Sequence, residues 1–482
     1  MTSASTFRNL LEMAMTLRGG SRKRLLPYAA VYWIPLLILG AGGMASAATL
    51  DFRQCVAVAL RENPDARIAH AQIAAARAGL QAAQRQRFPK LTASLTGMRT
   101  DDALNAFGLK LSQRRATFND FGAGQFTGPS ALGVAPGALN YPGAVNNFNT
   151  RLELQIPVYN GGSIGGYVAQ ARAYARAARQ GDAAARQNVV FQVLEAYEGV
   201  HAARRYVKVA REAERAAQRY VRTTRNLLAQ GVVVKSDLLS AEVNLQNAQV
   251  SLEQAQDGAA AALDQLHLAI GLDLGRPLDV GPDVTPRPLS GTRQALEQAA
   301  LANNPGIHAL QAKVAAARAG VAIAAAANKP HVNLMARQDW NDQTLGLSAP
   351  SYTIAAVASM TLFDGGVTRA AEDRAEAARL VAQTELAKAQ AGVRFQVDDA
   401  WRKAREARAE VNARATAVAQ AEEAQRLIAR RYANGVTTMV EVETGEAQLD
   451  GARAALVAAR YREVVSEAAL DLVVGRLSAA SF

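Results

Sequence analysis

The sequence predicts a mainly α-helical, internally duplicated fold in which long helical rods are interrupted by two pairs of β-strands of membrane-hairpin length. Three observations carry that prediction. Asn63-Pro64, the run Ala74-Ala75-Ala76-Arg77-Ala78-Gly79 and Pro89 recur at an offset of 241 as Asn304-Pro305, Ala315-Ala316-Ala317-Arg318-Ala319-Gly320 and Pro330. Tyr159-Asn160-Gly161-Gly162, Gly231-Val232 and Gly271 recur at an offset of 204 as Phe363-Asp364-Gly365-Gly366, Gly435-Val436 and Gly475. Repeats of this length exceed any solenoid unit, so the chain reads as one fold duplicated. The second observation is the absence of proline between Gly166 and Gly231, in a stretch rich in Ala, Leu, Gln, Arg and Glu. These are strong helix formers, and the interval is long enough for a rod of roughly 100 Å. The third is strict alternation in four short segments, described below.

Along the chain, the first segment carries Arg18, Arg22, Lys23 and Arg24, an apolar run from Leu25 to Gly43, and Ala45-Ser46-Ala47. That order is a secretory signal peptide over residues 1–47, removed before Ala48. It holds five basic residues and one acid, so its removal takes the formal charge from +12 to +8. Beyond it no stretch approaches the roughly 20 consecutive apolar residues of a membrane helix. The one cysteine, Cys55, has no intramolecular partner and lies past the cleavage point, so neither a disulfide nor lipid attachment is expected. Basic residues are dispersed among Ala, Gln and Glu without interleaved aromatics, which argues against nucleic acid as a partner.

The first repeat, 48–274, has strands expected at about 90–99 and 148–159. In the former, Leu91, Ala93 and Leu95 alternate with Thr92, Ser94 and Thr96. In the latter, Leu152, Leu154 and Ile156 oppose Arg151, Glu153 and Gln155. The second repeat, 292–476, has strands expected at about 331–340 and 351–363. Period two over about ten residues is the pattern of transmembrane β-strands. Within the first rod, Val193, Val200 and Val207 repeat at seven, as do Val190 and Tyr197, which predicts a coiled-coil seam. From Pro89 to Gly161 is 72 residues, whereas Pro330 to Gly365 is 35, so the first hairpin carries a long Gly/Pro-rich excursion. Residues 275–291, with Pro277, Pro282, Pro286 and Pro288, read as a linker, and 477–482 as a C-terminal tail.

Four strands cannot close a barrel in lipid, because open edges leave backbone groups unsatisfied. Two chains give eight strands and a filled interior, whereas three give twelve and a lumen. A homo-oligomer of at least three follows, with the rods continuing as a ring of helices.

With these elements in place, the duplicated Asn-Pro before an Ala-rich helix, Pro157-Val158-Tyr159-Asn160-Gly161-Gly162, Leu362-Phe363-Asp364-Gly365-Gly366 and the Gly-Val turns resemble TolC-type outer membrane efflux proteins. The resemblance runs through residues 50 to 475. It implies a homotrimer with one twelve-stranded β-barrel in the outer membrane and one α-helical barrel across the periplasm. It further implies a passive exit duct that docks a periplasmic adaptor and an inner-membrane pump. The outer-membrane channel of a type I protein secretion system is an alternative with the same fold, and an exported coiled-coil envelope scaffold is one without a channel.

The resemblance makes the turns at 231–236 and 435–440 the periplasmic tip, with Gly231, Val232, Gly435 and Val436 as candidates for adaptor docking. Asp237 and, at plus 204, Glu441 follow these turns, with Glu443 nearby; the family places acids at this constriction, which makes the three a candidate gate. Carboxylate rings around a pore favour cations. Asp237 and Glu441 are also ordinary helix-start residues. Thr444 stands where a second acid can occur, which counts against a doubled ring. The five histidines, His70, His201, His267, His308 and His331, show no metal-ligand spacing, and neither a phosphate loop nor a nucleophile elbow occurs. No enzyme, cofactor or metal is expected.

Overall fold

A computed structural model describes residues 48–285 and 291–481. The expected leader lies outside the described residues, as do residues 286–290 of the expected linker. The first half runs β1 (Ala48–Leu50), α1 (Phe52–Glu62), α2 (Pro64–Arg85), β2 (Lys90–Thr100), α3 (Ala103–Ser112), β3 (Val145–Asn160), α4 (Ser163–Ala229) and α5 (Lys235–Ile270). After β4 (Leu278–Val280) the second half runs α6 (Arg293–Asn303), α7 (Pro305–Ala326), β5 (His331–Asp342), β6 (Pro350–Ser359), α8 (Val367–Ala433) and α9 (Met439–Val474). Counterpart helices have equal lengths: 11 residues for α1 and α6, 22 for α2 and α7, 67 for α4 and α8, 36 for α5 and α9.

The repeated motifs turn out to be two sides of one contact. Proline excludes the α region for the residue before it, and Asn63 is extended at φ −61°, ψ 130°. Its Oδ1 caps α2 by accepting from Asp65 N at 2.8 Å, and its Nδ2 donates to Ala269 O at 2.9 Å. Asn304 does the same in the second half, accepting from Gly306 N at 2.8 Å and donating to Val473 O at 3.0 Å. The glycines that end the return helices meet those same breaks in left-handed conformation, Gly271 at φ 75° and Gly475 at φ 81°. A Cβ on Gly271 would lie 2.8 Å from Glu62 C, and one on Gly475 2.7 Å from Asn303 O. Only glycine allows backbone to approach backbone this closely.

The main core lies midway along the rods. Phe52, Cys55 and Val56 pack there with Val193, Leu194 and Tyr197 of α4, Leu266 and Ile270 of α5, and Val464 and Ala468 of α9. The expected seven-residue seam is broader than a seam at this height. Val189, Val190, Val193, Leu194, Tyr197 and Val200 are all buried, because α1, α5 and the inter-half segment all cover α4, whereas Val207 is only half-buried. The segment expected to be a linker is strapped down. β4 pairs in parallel with β1, Tyr197 Oη donates to Pro282 O at 2.9 Å, and Glu198 accepts from Val284 N at 2.7 Å. Arg204 pairs with Asp279 at 2.5 Å and Arg205 with Asp283. The expected tail also packs, with Leu477 buried in the main core.

β2, β3, β5 and β6 form one antiparallel sheet in that order, leaving β2 and β6 at the edges. Register places Leu91, Ala93, Leu152, Leu154, Ala336 and Ile354 on one face and Thr92, Ser94, Arg151, Glu153, Arg337 and Thr353 on the other. The apolar face carries Phe148, Trp340 and Tyr352 toward the hairpin ends and Tyr159 at the rod end, the aromatic girdles of a membrane sheet. A bulge after Pro157, which has no N–H to donate, returns Tyr159 to that face. The return strand expected to reach residue 363 stops at Ser359. Its partner β5 begins there, opposite His331, immediately after Pro330.

α7 is long and apolar enough to cross a membrane, with a mean hydropathy of 1.2. That hydropathy comes largely from alanine, and α7 packs lengthwise on α4 and α8 rather than standing alone.

Candidate functional site

At the far end of the rods each half makes one tight turn. α4 ends in a glycine in left-handed conformation, Gly231 at φ 72°, with Gly231 N donating to Leu228 O and Val232 N to Leu227 O. α8 ends the same way: Gly435 stands at φ 70°, its N–H donates to Tyr432 O, and Val436 N donates to Arg431 O. This crossed pair of bonds satisfies the last carbonyls of each rod. The turns touch, since a Cβ on Gly435 would lie 2.9 Å from Val232 Cγ1. Around them Val232, Val234, Val436 and Val440 are more than half exposed, which leaves an apolar rim at the tip.

Just above the rim is a small core of Val221, Leu227, Ala241, Tyr432, Met439 and Val442. Tyr432 is 1% exposed and its hydroxyl lies 2.7 Å from Thr224 Oγ1, itself fully buried, which ties the two rods together across the halves. Burial raises the Tyr432 pKa, and the nearby charges of Asp237 and Glu443 raise it further.

The three acids of the candidate gate do not share one environment. Asp237 and Glu441 both occupy the third position of their helices. Asp237 turns back to accept from Val234 N at 3.4 Å, as a helix cap. Glu441 leaves its own cap to Thr438 and instead accepts from Arg431 Nη1 at 3.0 Å and from Thr437 Oγ1. Glu443 accepts from Ser240 Oγ of α5 at 3.0 Å. Asp237 and Glu443 thus lie near one hydroxyl, Tyr432, while Glu441 pairs with Arg431.

Arg431, Tyr432 and Thr224 were not singled out from sequence. A signal existed: the residues 204 before Arg431 and Tyr432 are Leu227 and Leu228, so a cation and a phenol of the second half stand where the first half has two leucines.

Further up, Gln425 is buried between the rods and donates to Tyr220 Oη at 2.9 Å and to Glu446 Oε2 at 2.6 Å. Arg453 bridges Glu212 at 3.2 Å and Glu422 at 2.9 Å. Asp450 lies beside this cluster; burial first, and the Glu446 charge second, push its pKa up to about 6. Among the described residues no three His, Cys, Asp or Glu side chains converge to hold a metal ion. The tip thus carries exposed valines on both turns and three carboxylates just above them.

Comparison with known proteins agrees with this architecture. The family model described as outer membrane efflux protein matches residues 56–272 and 296–476, one segment in each half. The outer membrane efflux protein BepC of Brucella suis is 26% identical over 296 residues, 61% of this chain and 64% of BepC. The alkaline protease secretion protein AprF of Pseudomonas aeruginosa is 28% identical over 196 residues, 39% of this chain and 41% of AprF. The chain therefore spans just under two thirds of the one relative and about two fifths of the other. Among solved structures, the channel protein CusC superposes with a TM-score of 0.74 at 18% identity, over 91% of this chain and 95% of that one. The fold is thus a helical barrel segment joined to a membrane β-sheet, and the chain belongs to the outer membrane efflux protein family.

Proposed function

We propose that three copies of this chain close into one channel, the outer-membrane exit duct of a tripartite efflux system. It would passively conduct substrates delivered by an inner-membrane pump and a periplasmic adaptor. One observation carries the reading: a site occupied in one half is empty in the other. Gly320 of α7 faces Gln170 of α4, with Gln170 Nε2 3.4 Å from where its Cβ would be, and a Cβ on Gly161 would lie 2.6 Å from Ala326 O. Their counterparts Gly79 and Gly365 have nothing within 4 Å. α8 makes no extended contact with α2 among the described residues, although α4 packs along α7. The missing neighbour is the α2 of the next chain, and the same rotation joins the unpaired edges of β6 and β2. Unpaired edges in lipid cost several kcal/mol per group, so closure is the state the sheet requires.

Cross-linking tests this directly. In a Cys55→Ala background, Gly79→Cys with Arg374→Cys should form disulfides between chains and yield trimers on non-reducing gels. The equivalent pair, Gly320→Cys with Gln170→Cys, should bridge within a chain and leave the mass unchanged. Inter-chain bridging by neither pair in membranes would sink the assembly.

In this reading Gly231, Val232, Gly435 and Val436 form the adaptor-docking rim, supported by the exposure of both valines and the contact of the two turns. Cysteines at Val232 or Val436 should cross-link to an adaptor hairpin; capture only at the rod midsections would move the docking site. Asp237, Glu441 and Glu443 line the gate. Asp237→Asn with Glu441→Gln should raise single-channel conductance and weaken block by divalent cations, and an unchanged channel would remove the assignment.

The similarity to a protein named for alkaline protease secretion keeps a second reading, the channel of a type I secretion system. Identification of the pump co-purified after cross-linking decides between them.

A further inference from the structure

We infer that the excursion of the first hairpin, residues 101–144, is a size-selecting constriction built across the outer mouth of the channel, with Gln113 and Arg114 as its positioning residues. The inference rests on the proposed trimeric duct, in which the polar face of the sheet lines the lumen.

The excursion joins the ends of β2 and β3 that point away from the rods, and it folds back over the polar face of the sheet. Gln113, at the end of α3, is only 5% exposed. Its Nε2 donates to Asn146 O at 2.7 Å and to Asn147 Oδ1 at 3.0 Å. Asn147 belongs to the polar series of β3 with Asn149 and Arg151, and it donates to Asn341 Oδ1 of β5 at 3.1 Å. Asn341 also accepts from Asn149 at 3.1 Å, while Asp339 accepts from Asn149 at 3.2 Å and from Arg151 at 2.7 Å. A side chain of the excursion thus terminates a hydrogen-bonded ladder that runs down the lumenal face across two strands.

Arg114 extends the span to the far edge of the sheet. Its Nη2 donates to Pro350 O, the first residue of β6, at 2.7 Å. It does so from a left-handed backbone, φ 56°, at the place after a helix end where glycine is usual. Arg114 N donates to Leu111 O and Arg115 N to Lys110 O, as in a glycine-ended helix. A non-glycine residue there is strained by its Cβ, and such strain persists where the surroundings need the side chain. Here the need is a tether from the β2–β3 connection across β5 to β6.

The excursion is internally braced. Lys110 pairs with Asp120 at 2.5 Å, and this bond, with further ones from Thr117, holds the Asp120 carboxyl down at about 2. Phe107 packs edge-on against Phe121 at 4.9 Å. A helix with side chains is about 10 Å across, so three copies of α3 with their following turns would fill much of a twelve-stranded mouth. The other hairpin, turning between Asp342 and Pro350, is too short to reach over the face. The constriction is therefore three-fold where the rods are near six-fold.

Labelling from outside the cell tests the inference. Ser94 lies on the polar face of β2, opposite Arg151 and inward of the excursion, and is exposed. In a Cys55→Ala, Ser94→Cys chain on intact cells, a small maleimide should label the cysteine and a maleimide on a large polymer should not. Replacing residues 103–140 by a short Gly/Ser connection should admit the large reagent. Gln113→Ala and Arg114→Gly should each admit it in part. Arg114→Gly is the sharper variant, since it relieves the backbone and removes only the tether; a merely local role would stabilise the loop and leave exclusion unchanged. Equal labelling by the large reagent with and without the excursion would overturn the constriction, as would no labelling by the small reagent in either chain. Inter-chain cross-linking through Gly79→Cys and Arg374→Cys, run on the same cells, reports separately whether the trimer itself has formed.

Discussion

The two halves of the chain are matched to the residue in their helices and unmatched in their hairpins. α4 and α8 are both 67 residues long and α5 and α9 both 36, whereas the β2–β3 connection runs from Thr100 to Val145 and the β5–β6 connection only from Asp342 to Pro350. The difference teaches where geometry constrains the duplication. Rods packed side by side must begin and end at the same heights, because a one-residue insertion shifts the packed face of a helix by about 100°. Hairpin ends lie clear of the rod packing, so they can grow. Buried charge is likewise unmatched: Glu198 and Asp450 have Arg402 and Gln246 at the equivalent positions, 204 away.

The largest expected effect comes from breaking what the halves share. Gly271→Val and Gly475→Val each place a Cβ against backbone of the Asn-Pro break in a left-handed conformation, and each should cost more than about 2 kcal/mol. If melting in detergent shows one tolerated and the other not, the halves are not mechanically equivalent at mid-rod.

Next is a buried acid of the first half, Glu198, whose counterpart is Arg402. Burial is the main cause that raises the Glu198 pKa from 4.5 to about 7. A raised acid stabilises the fold below its unfolded value and loses that contribution as pH rises through the folded one. Stability should therefore fall between about pH 4.5 and pH 7. Glu198→Gln retains an acceptor for Val284 N, and should flatten much of that fall. The remaining slope should include Asp450, raised to about 6, and Glu446, which burial also raises. An unchanged pH profile of melting would show that Glu198 is not charged-form-penalised.

The smallest effect concerns the tip. Tyr432→Phe removes the hydroxyl bonded to Thr224 and should cost about 1 kcal/mol of rod-to-rod stability, read as a lower melting temperature together with a higher conductance. Leu228, its counterpart, has no such bond to lose, so Leu228→Ala should lower stability through packing alone. Equal conductance changes in the two variants would deny Tyr432 a latch between the halves.

Much of this was legible in one chain. Alternation at Leu91–Thr96 and Leu152–Ile156 identifies strands because the side-chain period of a strand is two, and the proline-free intervals identify rods because helix propensity sums over length. The tip turns were legible because glycine ends helices. What escaped lies where the deciding partner is distant. Residues 275–291 have the composition of a linker, yet Tyr197 and Glu198, some 85 residues earlier, hold the segment down. The end of β6 escaped because it depends on where β5 begins. Asp237 and Glu441 look equivalent by position, and only their partners distinguish them, Val234 N for the one and Arg431 with Thr437 for the other.

By itself, then, the sequence determined the periodicities and the duplication, since these depend on residues close along the chain and on an offset that can be read directly. Tertiary structure decided which repeated motifs touch: that Asn63 meets Ala269 and Asn304 meets Val473, and that Gly320 is covered while Gly79 is open. Those contacts join residues some 150 to 210 positions apart, and packing selects among the many pairings such distances permit.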